Sequence, residues 1–187
     1  MLAYTWLLAP IIPRWTAIAA GAIVITLAVA RASRAHEWGL SPRHLLPSLA
    51  SAAIFTVAAA VLLALAAWQR DSWHAQPLTT EDVAILLAWA LGQQFALQTT
   101  ILRDAQSATS RTAGIGLAAA LFAALHLPNP FLTAVTFVAA LSWCWIYDRH
   151  PNLLPLALSH ALLTMVVLSA LDAATTGRLR VGIAYLR

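Results

Sequence analysis

Apolar residues run along this 187-residue chain in about six long stretches parted by short polar segments. Stretches of that length and uniformity predict helices that cross a bilayer. The first spans residues 15–32, after an apolar leader broken by Pro10 and Pro13 that suits a half-helix in the interface. Segment 36–46 (HEWGLSPRHLL) is mixed and reads as a loop or surface helix. The second stretch, 46–68, is rich in Ala and Leu and carries no charge. Loop 69–80 holds Arg70, Asp71, Trp73 and Pro77. The third stretch starts at Thr79 or Thr80, either of which can cap, with Glu81 and Asp82 against the positive helix end. It runs to about residue 102, and 106–112 (QSATSRT) reads as a polar loop. The fourth, 113–127, stops at Pro128-Asn129-Pro130, a strong breaker. The fifth, 131–147, ends in a belt of Trp143, Trp145 and Tyr147. The sixth, 152–171, has Pro151 and Pro155 at its first turn, where proline is tolerated. A polar, basic segment, 172–187, follows. The pattern predicts an all-α fold: a polytopic integral membrane helical bundle, with residues 1–187 forming a single membrane domain.

Composition agrees. The chain is 61% hydrophobic and 10% charged, against about 25% charged in soluble domains. Long apolar runs argue against a β-barrel, which would alternate over ~10-residue strands. The net charge is +4 and every cation is arginine. The arginines lie mostly at segment ends, which suits headgroup anchoring. No dense basic patch forms, so nucleic-acid binding is not expected. If both ends share a side, the arginines divide five against six, and the positive-inside rule assigns no orientation. The single cysteine, Cys144, excludes an internal disulfide. The start lacks a basic n-region and an A-x-A site, so no cleaved signal peptide is expected. A short Ala- and Arg-rich chain without lysine is prokaryotic in style. The expected location is therefore a prokaryotic cytoplasmic membrane.

Polar side chains interrupt three of the stretches. His126 and His160 sit within apolar segments, as do Gln93, Gln94 and Gln98. Bilayer-depth histidines are costly and rare, so each marks a candidate functional site. Three insertions in three segments suggest one shared polar pocket between the third, fourth and sixth segments. Residues four apart share a helix face, which pairs Gln94 with Gln98, Phe122 with His126, and His160 with Thr164. Interhelical glue is the bland reading of any one of them, worth about 0.6–2 kcal/mol each.

The order of these groups resembles the CAAX-protease and bacteriocin-processing (CPBP) family. These are intramembrane glutamic endopeptidases that include the Ras-converting prenyl-protein proteases. The resemblance covers roughly residues 39–171. GLSPRHLLPSL is similar to the family's Gly-Leu-rich lead-in. FAALHLPNP matches its Phe-x-x-x-His piece at Phe122 and His126, and LPLALSHALLT matches its Ser-His-Ala context at Ser159, His160 and Ala161. The family's Glu-Glu-x-x-x-Arg motif falls on Gln93, Gln94 and Gln98, all glutamine. Its usual Asn after the last His is Thr164.

In the family, the first Glu with the Phe-x-x-x-His histidine activates a water, and the later His with its Asn stabilises the oxyanion. The resemblance therefore implies active-site positions at His126, His160, Gln93, Gln94, Gln98 and Thr164, with Phe122 in support. A carboxylate of raised pKa accepts a proton near neutral pH, whereas an amide does not titrate usefully. Loss of a general base costs on the order of 10²–10⁴ in rate. Because the motif's Arg is absent too, no buried charge is left unpaired. Rescue by Asp104 or Asp172, or a histidine acting as sole base, are the remaining routes to hydrolysis. Two histidines fall short of the three protein ligands of a catalytic zinc, so no metal and no other cofactor is expected.

Three readings follow. One is an endopeptidase-type protein acting on membrane-proximal peptide segments of other proteins. The second is a catalytically silent relative that binds a membrane-embedded or lipidated peptide as an immunity, chaperone or assembly factor. The third is a small membrane protein whose polar residues are packing glue.

Overall fold

The computed structural model describes residues 15–74 and 77–186. Helix makes up 83% of them, and they contain no strand. The leader around Pro10 and Pro13 lies outside the described residues. The helices are α1 (Trp15–Ala35), α2 (Leu45–Arg70), α3 (Thr80–Ala96), α4 (Arg103–Ala108), α5 (Arg111–Ala124), α6 (Pro130–Arg149), α7 (Leu153–Ala170) and the one-turn α8 (Ala173–Thr176). A π-helical segment, Leu97–Leu102, joins α3 to α4.

Among the described residues, four helical stretches are long and apolar enough to cross a bilayer: Pro42–Arg70, Thr80–Ala108, Pro130–Arg149 and Leu153–Ala170. The chain is a helical bundle and an integral membrane protein. α5 is apolar but has 14 residues, or about 21 Å at 1.5 Å per residue. That is short of the ~30 Å hydrocarbon core.

Local chemistry explains the boundaries. Thr79 Oγ1 accepts the Asp82 amide at 3.1 Å, and Asp82 Oδ2 accepts the Thr79 amide at 2.9 Å. This reciprocal cap starts α3. Ser110 caps α5 through the Ala113 amide, and Asn152 caps α7 through the Leu154 amide. The polar loop expected over 106–112 is largely helical instead, because α4 continues to Ala108. Its polar side chains turn back on the helix: Ser107 Oγ donates to Asp104 O at 2.8 Å and Thr109 Oγ1 to Ala105 O at 2.7 Å. Only residues 109–110 separate it from α5.

The described chain divides into two compact units. One holds α1 through Trp38, Phe95–Cys144 and the segment from Leu179. Here α1 buries Ala28 and Ala32, and α5 buries Ile115, Ala118, Ala119, Phe122 and Ala123. α4 and α5 pack so closely that a Cβ on Gly114 would stand 2.6 Å from the Gln106 Cα. Only glycine fits there.

The other unit is Gly39–Gln94 with Trp145–Arg178, built on α2 against α7. Ser48, Ala52 and Thr56 recur every fourth residue on α2, small enough for close approach. The Thr56 and Ser159 hydroxyls share a hydrogen bond of 2.7 Å, and Ser48 Oγ donates to Asn152 O at 3.3 Å. Another face of α2 is open, with Ile54, Val57, Leu62 and Trp68 exposed as a lipid-facing side chain would be, while Ala67 is buried. Short extended segments clamp the start of α7: the Leu153 amide donates to Gly39 O at 2.7 Å and Asn152 Nδ2 to Ser41 O at 3.0 Å. Gly39 has φ +66, and a Cβ there would meet the Tyr147 hydroxyl at 2.6 Å and Leu153 Cγ at 2.8 Å.

Candidate functional site

Gln98, Phe122 and His126 belong to the first unit; Gln93, Gln94, His160 and Thr164 belong to the second. Each group has its own local geometry.

In the first unit the π segment opens at Leu97, immediately before Gln98. The four-residue count from Gln94 to Gln98 therefore runs into a widened turn. Such single-turn π segments occur often at functional sites. Gln98 is fully buried there. Thr99 Oγ1 donates to Phe95 O at 2.7 Å, and the Thr99 carbonyl accepts from Arg31 Nη1 of α1. Arg31 also meets Asp104 at 2.9 Å, and Arg103 meets Glu37 at 2.6 Å and Gln106 Oε1 at 3.0 Å. Trp38 stacks on Phe95 with centroids 6.4 Å apart. A polar network, half-buried except at exposed Asp104, thus reaches the π turn through Arg31 and Thr99. The pairing of Glu37 with Arg103 has no signature in the local sequence.

His126 does not lie within a helix. α5 ends at Ala124, and His126 sits in the turn that follows, its amide donating to Ala123 O at 2.9 Å. Pro128 is the cause: it has no N–H and disfavours a helical residue before it. The imidazole lies edge-on to Phe122, with centroids 5.5 Å apart, as the four-residue spacing suggests. His126 Nδ1 is 3.1 Å from the Phe122 carbonyl. A carbonyl only accepts, so Nδ1 carries the proton and Nε2 of the neutral ring carries the lone pair. The histidine is thereby set with Nε2 as its basic atom.

In the second unit Gln94 is fully buried and Gln93 half-buried on α3. On α7, His160 is half-buried and Ser159 buried. The Thr164 hydroxyl donates to the His160 carbonyl at 2.9 Å. That bond ties it to its own helix backbone, a common fate of a helical threonine.

The nearby acids have other partners. Asp104 pairs with Arg31 and its side chain is 63% exposed. Asp172 caps α8, accepting the Thr175 amide at 2.6 Å. That amide, with the Thr175 hydroxyl and Arg70, holds the Asp172 carboxyl below its ordinary range. Both acids are exposed rather than buried. Sequence reasoning also missed Asn129, which is 1% exposed. Its Oδ1 accepts the Leu132 amide at 3.0 Å, capping α6. The signal was the Asn between two prolines, a capping residue directly before a helix start.

Against models of known families, residues 82–166 match type II CAAX prenyl endopeptidase Rce1-like. The matched span contains Gln93, Gln94, Gln98, Phe122, His126, His160 and Thr164. No curated protein and no solved structure matched the chain.

Proposed function

For a chain whose residues 82–166 are Rce1-like, and whose scaffold is thereby CAAX-protease-like, we propose a role in binding membrane-proximal peptide segments or lipidated tails of other proteins, without glutamate-driven hydrolysis. The observation that carries this reading is the neutral motif: glutamine stands at 93, 94 and 98, two of the three fully buried. An amide keeps the shape and hydrogen-bonding capacity of a glutamate but accepts no proton from water near neutral pH. The motif's cation has gone with its anions, so the three positions form a consistent neutral set. A scaffold that keeps both histidines and loses its base retains hydrogen-bonding groups for a peptide.

A second reading keeps hydrolysis. The His126 tautomer favours it, since Nε2 is left as a basic atom. In that case the histidine alone deprotonates water, and the enzyme acts on the same class of segment.

Restoration distinguishes the two. Gln93→Glu with Gln98→Arg is introduced, and new protein termini are sought in membranes from cells carrying each form. The first reading expects cleavage only with the restored motif. Cleavage already present with the wild type, and lost with His126→Ala, overturns it in favour of the second.

A further inference from the structure

Residues 127–129 follow His126 directly, and the Asn129 amide donates to the His126 carbonyl at 3.1 Å. A distant part of the same unit lies along this turn. The Gly182 amide donates to Leu127 O at 2.8 Å, and Asn129 Nδ2 donates to Arg180 O at 3.1 Å. Residue 127 thus meets 182 through one backbone bond, and residue 129 meets 180 through its side-chain amide. Val181, between the two contacts, is extended at φ −133, ψ 163. The two contacts hold the main chain on either side of this one extended residue, as main-chain hydrogen bonds hold a bound peptide.

Two features make the edge general. Both contacts reach the main chain of 180–182: Arg180 contributes its carbonyl while the residue stays exposed, and Gly182 contributes its N–H. The Asn129 amide is also fixed in direction. Its Oδ1 is held by the Leu132 amide, so Nδ2 must face the peptide. Gly182 is buried at φ +58, which favours glycine at that one position.

We propose that residues 127–129 are a docking edge for an extended peptide backbone, and that residues 180–182 occupy it in cis. The ligand class is a peptide that offers a carbonyl, an extended residue and then glycine. Any such ligand lies beside His126 and must displace the chain's own segment first. The inference rests on the reading of His126 as part of a peptide-handling site.

The test uses a fluorescein-labelled peptide RVGIAYLR, residues 180–187, with the full chain in detergent. In the wild type the edge is filled and binding in trans is weak. Gly182→Pro removes the N–H and cannot hold φ +58, so it vacates the edge and raises affinity about ten-fold. Adding Asn129→Asp keeps an acceptor for the Leu132 amide but removes the donor, and it erases the gain. Equal affinity of wild type and Gly182→Pro overturns the proposal, as does a gain that survives Asn129→Asp. Should Gly182→Pro fail to fold, the chain shortened after Leu179 replaces it, with the same two outcomes. Docking is read without proteolysis or an outside partner. A failure here is therefore distinct from a failure of the proposed function.

Discussion

Arg31 holds Asp104 at 2.9 Å, although the two residues lie 73 positions apart in the chain. The pair removes the acid nearest the glutamine motif from service as a general base. The Asp104 carboxylate is engaged by the guanidinium and is 63% exposed, outside the buried setting of such a base. This agrees with the silent-binder reading that the glutamines carry.

The first prediction concerns chemistry in the cell. A deletion strain is complemented with the wild type or with His126→Ala, and the termini of membrane proteins are compared by mass spectrometry. The expected result is the same set of termini with both forms at equal expression. Termini present only with the wild type would mean that this chain hydrolyses peptides without the family's glutamates.

Two glycines of α5 provide a matched pair for stability. Gly114→Ala would set a methyl 2.6 Å from the Gln106 backbone, and overpacking of that kind costs roughly 1–3 kcal/mol. Gly116→Ala meets nothing within 4 Å and should stabilise the helix by up to about 1 kcal/mol. Thermal unfolding in detergent reads both signs.

Thr56 and Ser159 invite a double-mutant cycle. Their hydroxyls are 2.7 Å apart between α2 and α7. Interhelical bonds within membrane proteins average about 0.6 kcal/mol and reach about 1.7. A coupling energy in that range is expected from Thr56→Ala, Ser159→Ala and the double variant. Strict additivity would assign the contact between α2 and α7 to packing alone.

Asp172 carries a pH dependence of known sign. Its folded pKa is depressed by Thr175 and Arg70. The stabilisation is therefore complete above the unfolded value of about 3.9 and declines as pH falls through the folded pKa. Asp172→Asn retains a capping side chain without the charge. The stability difference between the two forms should be steady near neutral pH and shrink below about pH 4. A difference that persists in strong acid would show that charge is not what the cap contributes.

Much of the fold was legible because its signals are local. The apolar runs of α2 and α7, the Thr79 cap and the proline break at 128–130 each act over a few residues. The order of Gln93, Gln94, Phe122, His126 and His160 was equally readable as a motif. Three features were not. α4 replaces a polar loop because Ser107 and Thr109 satisfy backbone carbonyls that composition alone would send to water. His126 lies past its helix, since α5 stops at Ala124, four residues ahead of Pro128. The pairs Glu37–Arg103 and Arg31–Asp104 join residues far apart in sequence, and no short-range pattern encodes them.

The π turn at Leu97–Leu102 has a further consequence. It acts as one surplus residue absorbed without a loop. A relative lacking a residue there would close the turn to ordinary pitch, and one α-helical step corresponds to about 100° of rotation. Gln98 would then swing round the helix axis relative to Arg103 and α4. A single-residue deletion among residues 99–102 would therefore re-aim Gln98 without replacing it.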